Sequence, residues 1–330
     1  MGSRQRRGNV AIGIDFGGTF IKMGLVDGRG KIHRRLSLEV RKDISQPRLF
    51  EKICEGIASL RQGTGGGQKT LLGIGMGLPG LIDTEKGLVH FLTNVPGWRN
   101  LPFAQKMRRR MRLPVFIDND VNLMTLGEVT FGAAKGLRHI ICLTLGTGVG
   151  GGLILDGALY RGASLSAGEI GHMPVSREGP PCPCGSYGCL ERYVGNEAIV
   201  AAAKRRLRRG ESSILPKLLN GDLRRMTPET LHQAARRGDR LSRRVWEEVG
   251  EWVGLALAGL VNTFNPEKIV IGGGVSNAGS FLLNPIRRAI RERALETPAK
   301  RVTIVRAALG NDAGIIGASV LVRINMRERR

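Results

Sequence analysis

The chain has 330 residues, enough for two domains around separate cores. Its hydrophobic content of 42% is ordinary for a globular protein, and its apolar runs are short and broken by Gly or charge. That excludes a helical membrane span. Lys and Arg number 51 against 28 Asp and Glu, a net charge of +23, and such a field attracts polyanions. The basic residues are nonetheless scattered, in Arg4–Arg7, Arg108–Arg110, Lys204–Arg209 and Arg327–Arg330, and aromatics are only 5% and not interleaved with them. A single-strand nucleic-acid binder wants that interleaving. The expectation is an arginine-rich surface with no specific nucleic-acid partner.

In chain order, Val10–Asp15 is a short apolar strand ending in an acid, Phe16-Gly-Gly-Thr19 turns it, and Phe20–Val26 returns as a second strand. Asp27-Gly-Arg-Gly30 signals a turn into a third strand over 31–40. Leu49, Ile53, Ile57 and Leu60 recur at helical spacing, predicting a helix over 45–61 that closes in the loose loop Gly63-Thr-Gly-Gly-Gly67. Leu71–Leu78 reads as a buried strand running into Pro79-Gly80. Further strands are expected at 114–117, 139–145, 151–155, 268–271 and 302–305. The stretch 199–264 is mainly helical, with Trp246, Val249, Val253, Leu257, Leu260 and Val261 on one stripe. A small-residue helix over 312–323 is expected to pack back onto the first domain.

The first turn, Asp15-Phe-Gly-Gly-Thr19, is echoed by Leu145-Gly-Thr-Gly148; each is a hairpin tip of Gly and Thr between strands. Two α/β units of like construction across a cleft would account for the repetition. Glycines let backbone N–H groups and the Thr19 hydroxyl approach phosphate oxygens, and Asp15 can hold a hydrated Mg²⁺ against them. Gly272-Gly-Gly274 supplies a third such turn after a strand. Ile117-Asp-Asn-Asp120 sits where a strand becomes a helix, so Asp118 or Asp120 can deprotonate an attacking hydroxyl; helix capping is the competing use of the same residues. Thr93-Asn94-Val-Pro-Gly-Trp98 is a polar loop whose aromatic suits a sugar face, or a plain turn.

Three of five cysteines lie within eight positions, Cys182-Pro-Cys184-Gly-Ser-Tyr-Gly-Cys189, ten residues after His172. Three thiolates and an imidazole are the ligand types of a closed, structural Cys₃His zinc site, with no open position for a reacting water. Against a disulfide, three clustered cysteines leave one unpaired and no apolar signal stretch opens the chain. Cys54 and Cys142 fall in apolar runs where a thiol packs. A metal-fixed loop would present Glu169, His172 and Glu191 to a polar ligand.

Taken in this order, the residues resemble the ROK family of sugar kinases and sugar-responsive repressors, within the actin/hexokinase/heat-shock ATPase superfamily. The resemblance runs from Asp15-x-Gly-Gly-Thr19 through Gly77-Leu-Pro-Gly80, Asn119-Asp120, Leu145-Gly-Thr-Gly148 and Gly168-Glu-x-Gly-His172. It continues through Cys182-x-Cys-Gly-x-x-Gly-Cys-x-Glu191 to Gly272-Gly-Gly274, nearly the whole chain. It implies a two-domain α/β fold of the actin-like ATPase (ribonuclease H-like) type with a cleft between the domains. Expected boundaries are 1–118, completed by 312–330, and 119–311 with the zinc loop 172–191.

By the same resemblance Asp120 is the general base, since the family's acid follows an asparagine. Gly80, Asn94, Asn119, Asp120, Glu169, His172 and Glu191 face the sugar. Asp15, Gly17, Gly18, Thr19, Lys22, Gly146, Thr147 and Gly148 serve ATP and its Mg²⁺, and Gly273 and Gly274 border the adenosine. His172, Cys182, Cys184 and Cys189 hold structural Zn²⁺. A repressor carries a winged-helix domain ahead of the first glycine turn, and the fourteen residues before Asp15 are too few to fold one, so a kinase is expected over a repressor or a non-catalytic sensor. Glucose phosphorylated at O6 is the expected reaction; N-acetylmannosamine, N-acetylglucosamine, allose, mannose and fructose are the alternatives, because Asp118-Asn-Asp-Val121 differs from the Glu-Asn-Asp-Ala usual in glucokinases. ATP is expected over polyphosphate, whose users in the family tend to lack the cysteines. A homodimer in the cytoplasm is expected, away from membranes.

Overall fold

Strands rich in Ile, Val and Met pair into sheets that bury most of those side chains. The computed structural model describes residues 8–40, 44–62, 70–92 and 98–328. The expected Gly63–Gly67 loop and the Asn94 site lie outside the described residues. Among the described residues, no helix is long and apolar enough to cross a membrane. The strands are β1 (Asn9–Phe16), β2 (Phe20–Asp27), β3 (Ile32–Glu39), β4 (Thr70–Leu78), β5 (Gly80–Asp83), β6 (Leu88–Leu92), β7 (Arg99–Leu101), β8 (Val115–Asn119), β9 (Ile140–Leu145), β10 (Val149–Leu155), β11 (Ala158–Tyr160), β12 (Lys268–Gly272) and β13 (Thr303–Arg306).

The chain divides into two compact units, 1–136 with 159–167 and 308–330, and 137–158 with 168–307. In the first unit a five-stranded sheet runs β3-β2-β1-β4-β8. β1 pairs antiparallel with β2 and parallel with β4, and β4 pairs parallel with β8. A small β5-β6-β7 sheet accompanies it. Helices α1 (Gln46–Gln62) and α2 (Phe103–Met111) bury Ile53, Ile57, Phe103 and Met107 in the first core. Trp98 joins them at 1% exposure, its ring edge-on to Phe16 and against Phe103. The sugar-face role considered for Trp98 is therefore corrected: its indole is core. Helix α3 (Asp120–Phe131) follows β8 within this unit.

The second unit repeats the plan. Its sheet runs β11-β10-β9-β12-β13, with β9 antiparallel to β10 and parallel to β12, and β12 parallel to β13. Both sheets thus have the order third-second-first-fourth-fifth with a hairpin between the first two strands, the ribonuclease H-like arrangement of an actin-like ATPase. The long helix Arg240–Phe264 buries the expected stripe, Trp246 through Val261, and packs on the helix Ser280–Arg293. The C-terminal helix Ala313–Glu328 returns to the first unit, against β1, β4 and α3. It lies close because the facing positions have no side chain. A Cβ on Gly13 would strike the Ile315 carbonyl, one on Gly75 the Ala318 carbonyl, and one on Gly317 the Leu123 carbonyl.

Two Gly→Ala changes, one at this contact and one far from it, are expected to act in opposite directions. Gly75→Ala forces a methyl into the backbone of Ala318 and is expected to destabilise the protein by about 1–3 kcal/mol. Gly259→Ala, on an exposed helical position with nothing within 4 Å of the new methyl, is expected to stabilise by roughly 0.5–1 kcal/mol. Thermal melts of both variants check the pair; equal melting shifts would contradict the close helix–sheet packing.

Candidate active site

The first unit gathers its polar residues where the parallel strands β1, β4 and β8 end. Asp15 lies in register with Gly77, and Gly77 with Asp118. The β1–β2 turn is closed by Gly17 N–H donating to the Phe20 carbonyl at 3.0 Å, which leaves Gly18 and Thr19 exposed. Lys22 stands across the hairpin from Asp15. Burial pushes the Asp15 carboxyl above the usual carboxylate range, and the charge of Lys22 pulls it partly back. A carboxylate so desolvated is a favourable neighbour for a divalent cation.

At the end of β8, Asn119 caps α3. Its side-chain oxygen accepts from the Val121 and Asn122 N–H groups at 2.9 and 3.3 Å. Its Nδ2 donates to the Gly80 carbonyl at 3.4 Å, and Gly80 has φ +122°, where a Cβ would strike the Phe91 carbonyl. Capping is thus done chiefly by Asn119. Asp120 is the first helical residue, half-buried, with its Cα 3.2 Å from where a Cβ of Gly77 would sit. Asp118, the other candidate base, is 1% exposed and accepts two hydrogen bonds from Arg161, at 3.0 Å from Nε and 2.6 Å from Nη2. Both oxygens of Asp118 are thus engaged inside the protein, with almost no surface left to meet a substrate. Arg161 is a residue sequence reasoning missed; an arginine before a glycine in a connecting loop carries no signal of what it pairs with.

The second unit offers the matching hairpin. Gly146 N–H donates to the Gly148 carbonyl at 3.0 Å, and Thr147 and Gly148 are exposed. Because β12 lies parallel to β9, the turn after it falls at the same sheet end. Gly273 has φ +79° and packs against the Leu145 backbone, and Gly274 opens to a side with nothing within 4 Å. These are bare backbone surfaces at strand ends, where anions are received by main-chain N–H groups.

Beside the hairpin lies the cysteine loop. Gly168 and Gly171 press against the backbone of Gly151 and Val149, which seats Glu169–His172 on β10. Leu190 N–H donates to the Met173 carbonyl at 2.9 Å, and Cys182 N–H to the Ser186 carbonyl at 2.8 Å. The ligand atoms of His172, Cys182, Cys184 and Cys189 all lie within 4.8 Å of one another. Cys184 Sγ is 3.7 Å from Cys189 Sγ, and His172 Nδ1 is 3.7 Å from Cys182 Sγ. A tetrahedron with Zn–S of about 2.3 Å and Zn–N of about 2.0 Å has edges of about 3.5–3.8 Å, so the donors fit zinc. Burial and then the neighbouring thiols push Cys189 up to about 11, whereas the Ser186 N–H and then Cys182 hold Cys184 below its ordinary value. With Nδ1 turned to the cysteines, Nε2 of His172 faces Glu169 Oε2 at 4.0 Å.

Glu191 begins a short helix two residues after Cys189, and its Oε2 accepts from Val149 N–H at 2.8 Å, beside Gly148. Asn196 N–H donates to the Gly146 carbonyl at 2.9 Å. The cysteine loop and the Gly146–Gly148 hairpin are therefore directly joined, a link that spacing in the sequence did not disclose. Of the expected site residues, Asn94 alone lies outside the described residues.

The family model described as "ROK family" matches residues 11–325. A glucokinase of Thermotoga maritima is 36% identical over 312 residues, covering 94% of this chain and 96% of that protein. A xylose repressor of Caldicellulosiruptor bescii is 33% identical over 319 residues, 96% of this chain and 78% of its own length. The crystal structure of a ROK family glucokinase from Streptomyces griseus, in complex with glucose and AMPPNP, aligns with a TM-score of 0.81 at 34% identity, covering 96% and 99% of the two chains.

The donor geometry carries its own expectation. Metal analysis of the purified chain should find about one zinc per chain, and Cys184→Ser should lower that severalfold, because three protein donors hold zinc less tightly than four. Protease nicking within 172–191 should quicken in parallel. A wild-type chain holding less than about a tenth of an equivalent would contradict the Cys₃His assignment.

Proposed function

This chain belongs to the ROK family, and on that footing we propose that it is an ATP-dependent hexose kinase, a glucokinase that moves the γ-phosphate of ATP to O6 of glucose. The observation that carries the reading is the division of labour between the two acids of Asp118-Asn119-Asp120. Asp118 is locked in a buried pair with Arg161 while Asp120 stands at the start of α3, half-buried. That leaves Asp120 to take the proton from the attacking hydroxyl. The family includes repressors, and the base with two complete glycine hairpins favours catalysis over sensing.

The chemistry asks mainly for position and charge neutralisation, since phosphoryl transfer makes few covalent demands on the protein. In this reading Gly17, Gly18 and Thr19 on one hairpin and Gly146, Thr147 and Gly148 on the other present backbone N–H and hydroxyl donors to phosphate oxygens. Gly273 and Gly274 border the adenosine, and Lys22 offsets charge near Asp15. Bound Mg²⁺ would supply the neutralisation of phosphate charge, and Asp15 would hold its hydration shell. Gly80, Asn94, Asn119, Glu169, His172 and Glu191 hold the sugar by its hydroxyls. His172 would give Nδ1 to zinc and Nε2 to the sugar or Glu169, so the metal fixes the ring's tautomer and angle without entering the reaction. We place the enzyme in the cytoplasm as a homodimer, where reduced thiolates persist.

Asp120→Asn keeps the shape and removes the base. Turnover of glucose with ATP and Mg²⁺ is expected to fall by about 10²–10⁴-fold, while glucose affinity by calorimetry stays within about threefold. Near-normal turnover in that variant would sink the assignment of Asp120.

A further inference from the structure

A full carboxylate at 1% exposure is costly unless every lone pair is used, and Asp118 uses four. Its Oδ1 accepts from Asn119 N–H at 2.8 Å and from Asn122 Nδ2 at 2.9 Å. Its Oδ2 accepts from Arg161 Nε at 3.0 Å and Nη2 at 2.6 Å. One carboxylate therefore ties together the end of β8, the first turn of α3 and the segment 159–167, all within the first unit. The segment is itself closed: Ala167 N–H donates to the Arg161 carbonyl at 2.9 Å, over a turn in which Gly162 and Leu165 have φ +72° and +60°. Asp120 lies between Asn119 and Asn122, the two residues that Asp118 grips on the helix side.

Buried ion pairs contribute little net stability, because desolvation offsets their attraction. What the pair adds is angle: both prongs of the guanidinium converge on Oδ2 while Asn119 and Asn122 hold Oδ1, so the carboxylate is gripped at both ends and has one orientation. We propose that the Asp118–Arg161 pair positions the base. It sets the tilt of the first turn of α3 so that the Asp120 carboxylate meets the attacking hydroxyl, and Asp118 and Arg161 are positioning residues that touch neither sugar nor nucleotide. The proposal rests on the reading of Asp120 as the base. A misplacement of about 1 Å is enough to lower turnover on the order of 10²-fold, so the effect should fall on the chemical step.

Four proteins test it: wild type, Arg161→Lys, Asp118→Asn and the double variant Asp118→Asn/Arg161→Gln. Each is measured for kcat, KM, calorimetric glucose affinity, melting temperature and zinc content. Arg161→Lys keeps the charge and loses the fork; kcat is expected to fall about 10–100-fold with glucose affinity within about threefold. Asp118→Asn is expected to lose at least as much. The double variant removes both buried charges, so its melting temperature should recover toward wild type while kcat stays low. Recovery of kcat together with melting temperature, or a kcat within twofold of wild type in both single variants, would overturn the proposal and leave the pair a purely structural one. Should the single variants fail to fold, the double variant still decides. A wild-type protein that binds glucose but shows no turnover would overturn the kinase reading itself, and the positioning role with it.

Discussion

Four donor atoms within 4.8 Å of one another converge in a segment with little regular secondary structure, 172–191. Residues 172–191 follow the one-turn 3₁₀ helix Ile170–His172 and contain two isolated β-bridges and a string of turns, with little repetitive hydrogen bonding. A metal held by the three thiols and one imidazole would supply the missing restraint, closing the loop at four points at once. Glu169 precedes His172 by three residues and Glu191 follows Cys189 by two, so both carboxylates inherit their placement from the cluster. The restraint does not stop there. Glu191 accepts from Val149 N–H, and the helix after it donates Asn196 N–H to Gly146, so the glycine hairpin takes its position from the same loop.

Glycine does the complementary work in the rest of the fold. Where Ala313–Glu328 crosses β1 and β4, carbonyls of the helix occupy the space that side chains on Gly13 and Gly75 would need. That close approach buries a helix of small residues against the sheet and brings Gly314 onto the Asp15 carboxylate. The same residue type stands at the strand ends, where Gly18 and Gly148 are exposed at the two hairpin tips.

Much of the fold was legible because its strands are short apolar runs bounded by Gly, and its helices carry a regular stripe. Val10–Asp15, Phe20–Val26 and Leu71–Leu78 fall inside β1, β2 and β4, and Leu49 to Leu60 mark α1. What could not be read is what depends on distant residues. The β5–β7 sheet has strands of three to five residues, too short for an alternation to register. Helix Ser280–Arg293 carries a proline, Pro285, that breaks a local reading although tertiary packing retains the helix. Trp98 looked like a ligand-facing aromatic because its neighbours in sequence are polar, whereas its neighbours in space are Phe16 and Phe103.

The site divided in the same way. The cysteine spacing announced its chemistry, since few other structures want three thiols and an imidazole so close in sequence. The choice between Asp118 and Asp120 was not available from spacing, because both carboxylates follow a strand and precede a helix. What the fold adds is that Asp118 is buried and paired with Arg161, 43 residues on, which no spacing could show. The cross-link from Glu191 to Val149 spans 42 residues and has no local signature either.

The most direct measurement is ADP release from ATP and Mg²⁺ across a panel of hexoses and N-acetylhexosamines, with the phosphorylated position of the product assigned by NMR. Turnover greatest on glucose, yielding the 6-phosphate, is the result predicted. Absence of ADP release with every sugar, while glucose still binds by calorimetry, would contradict it and make the chain a sugar-binding protein without phosphoryl transfer.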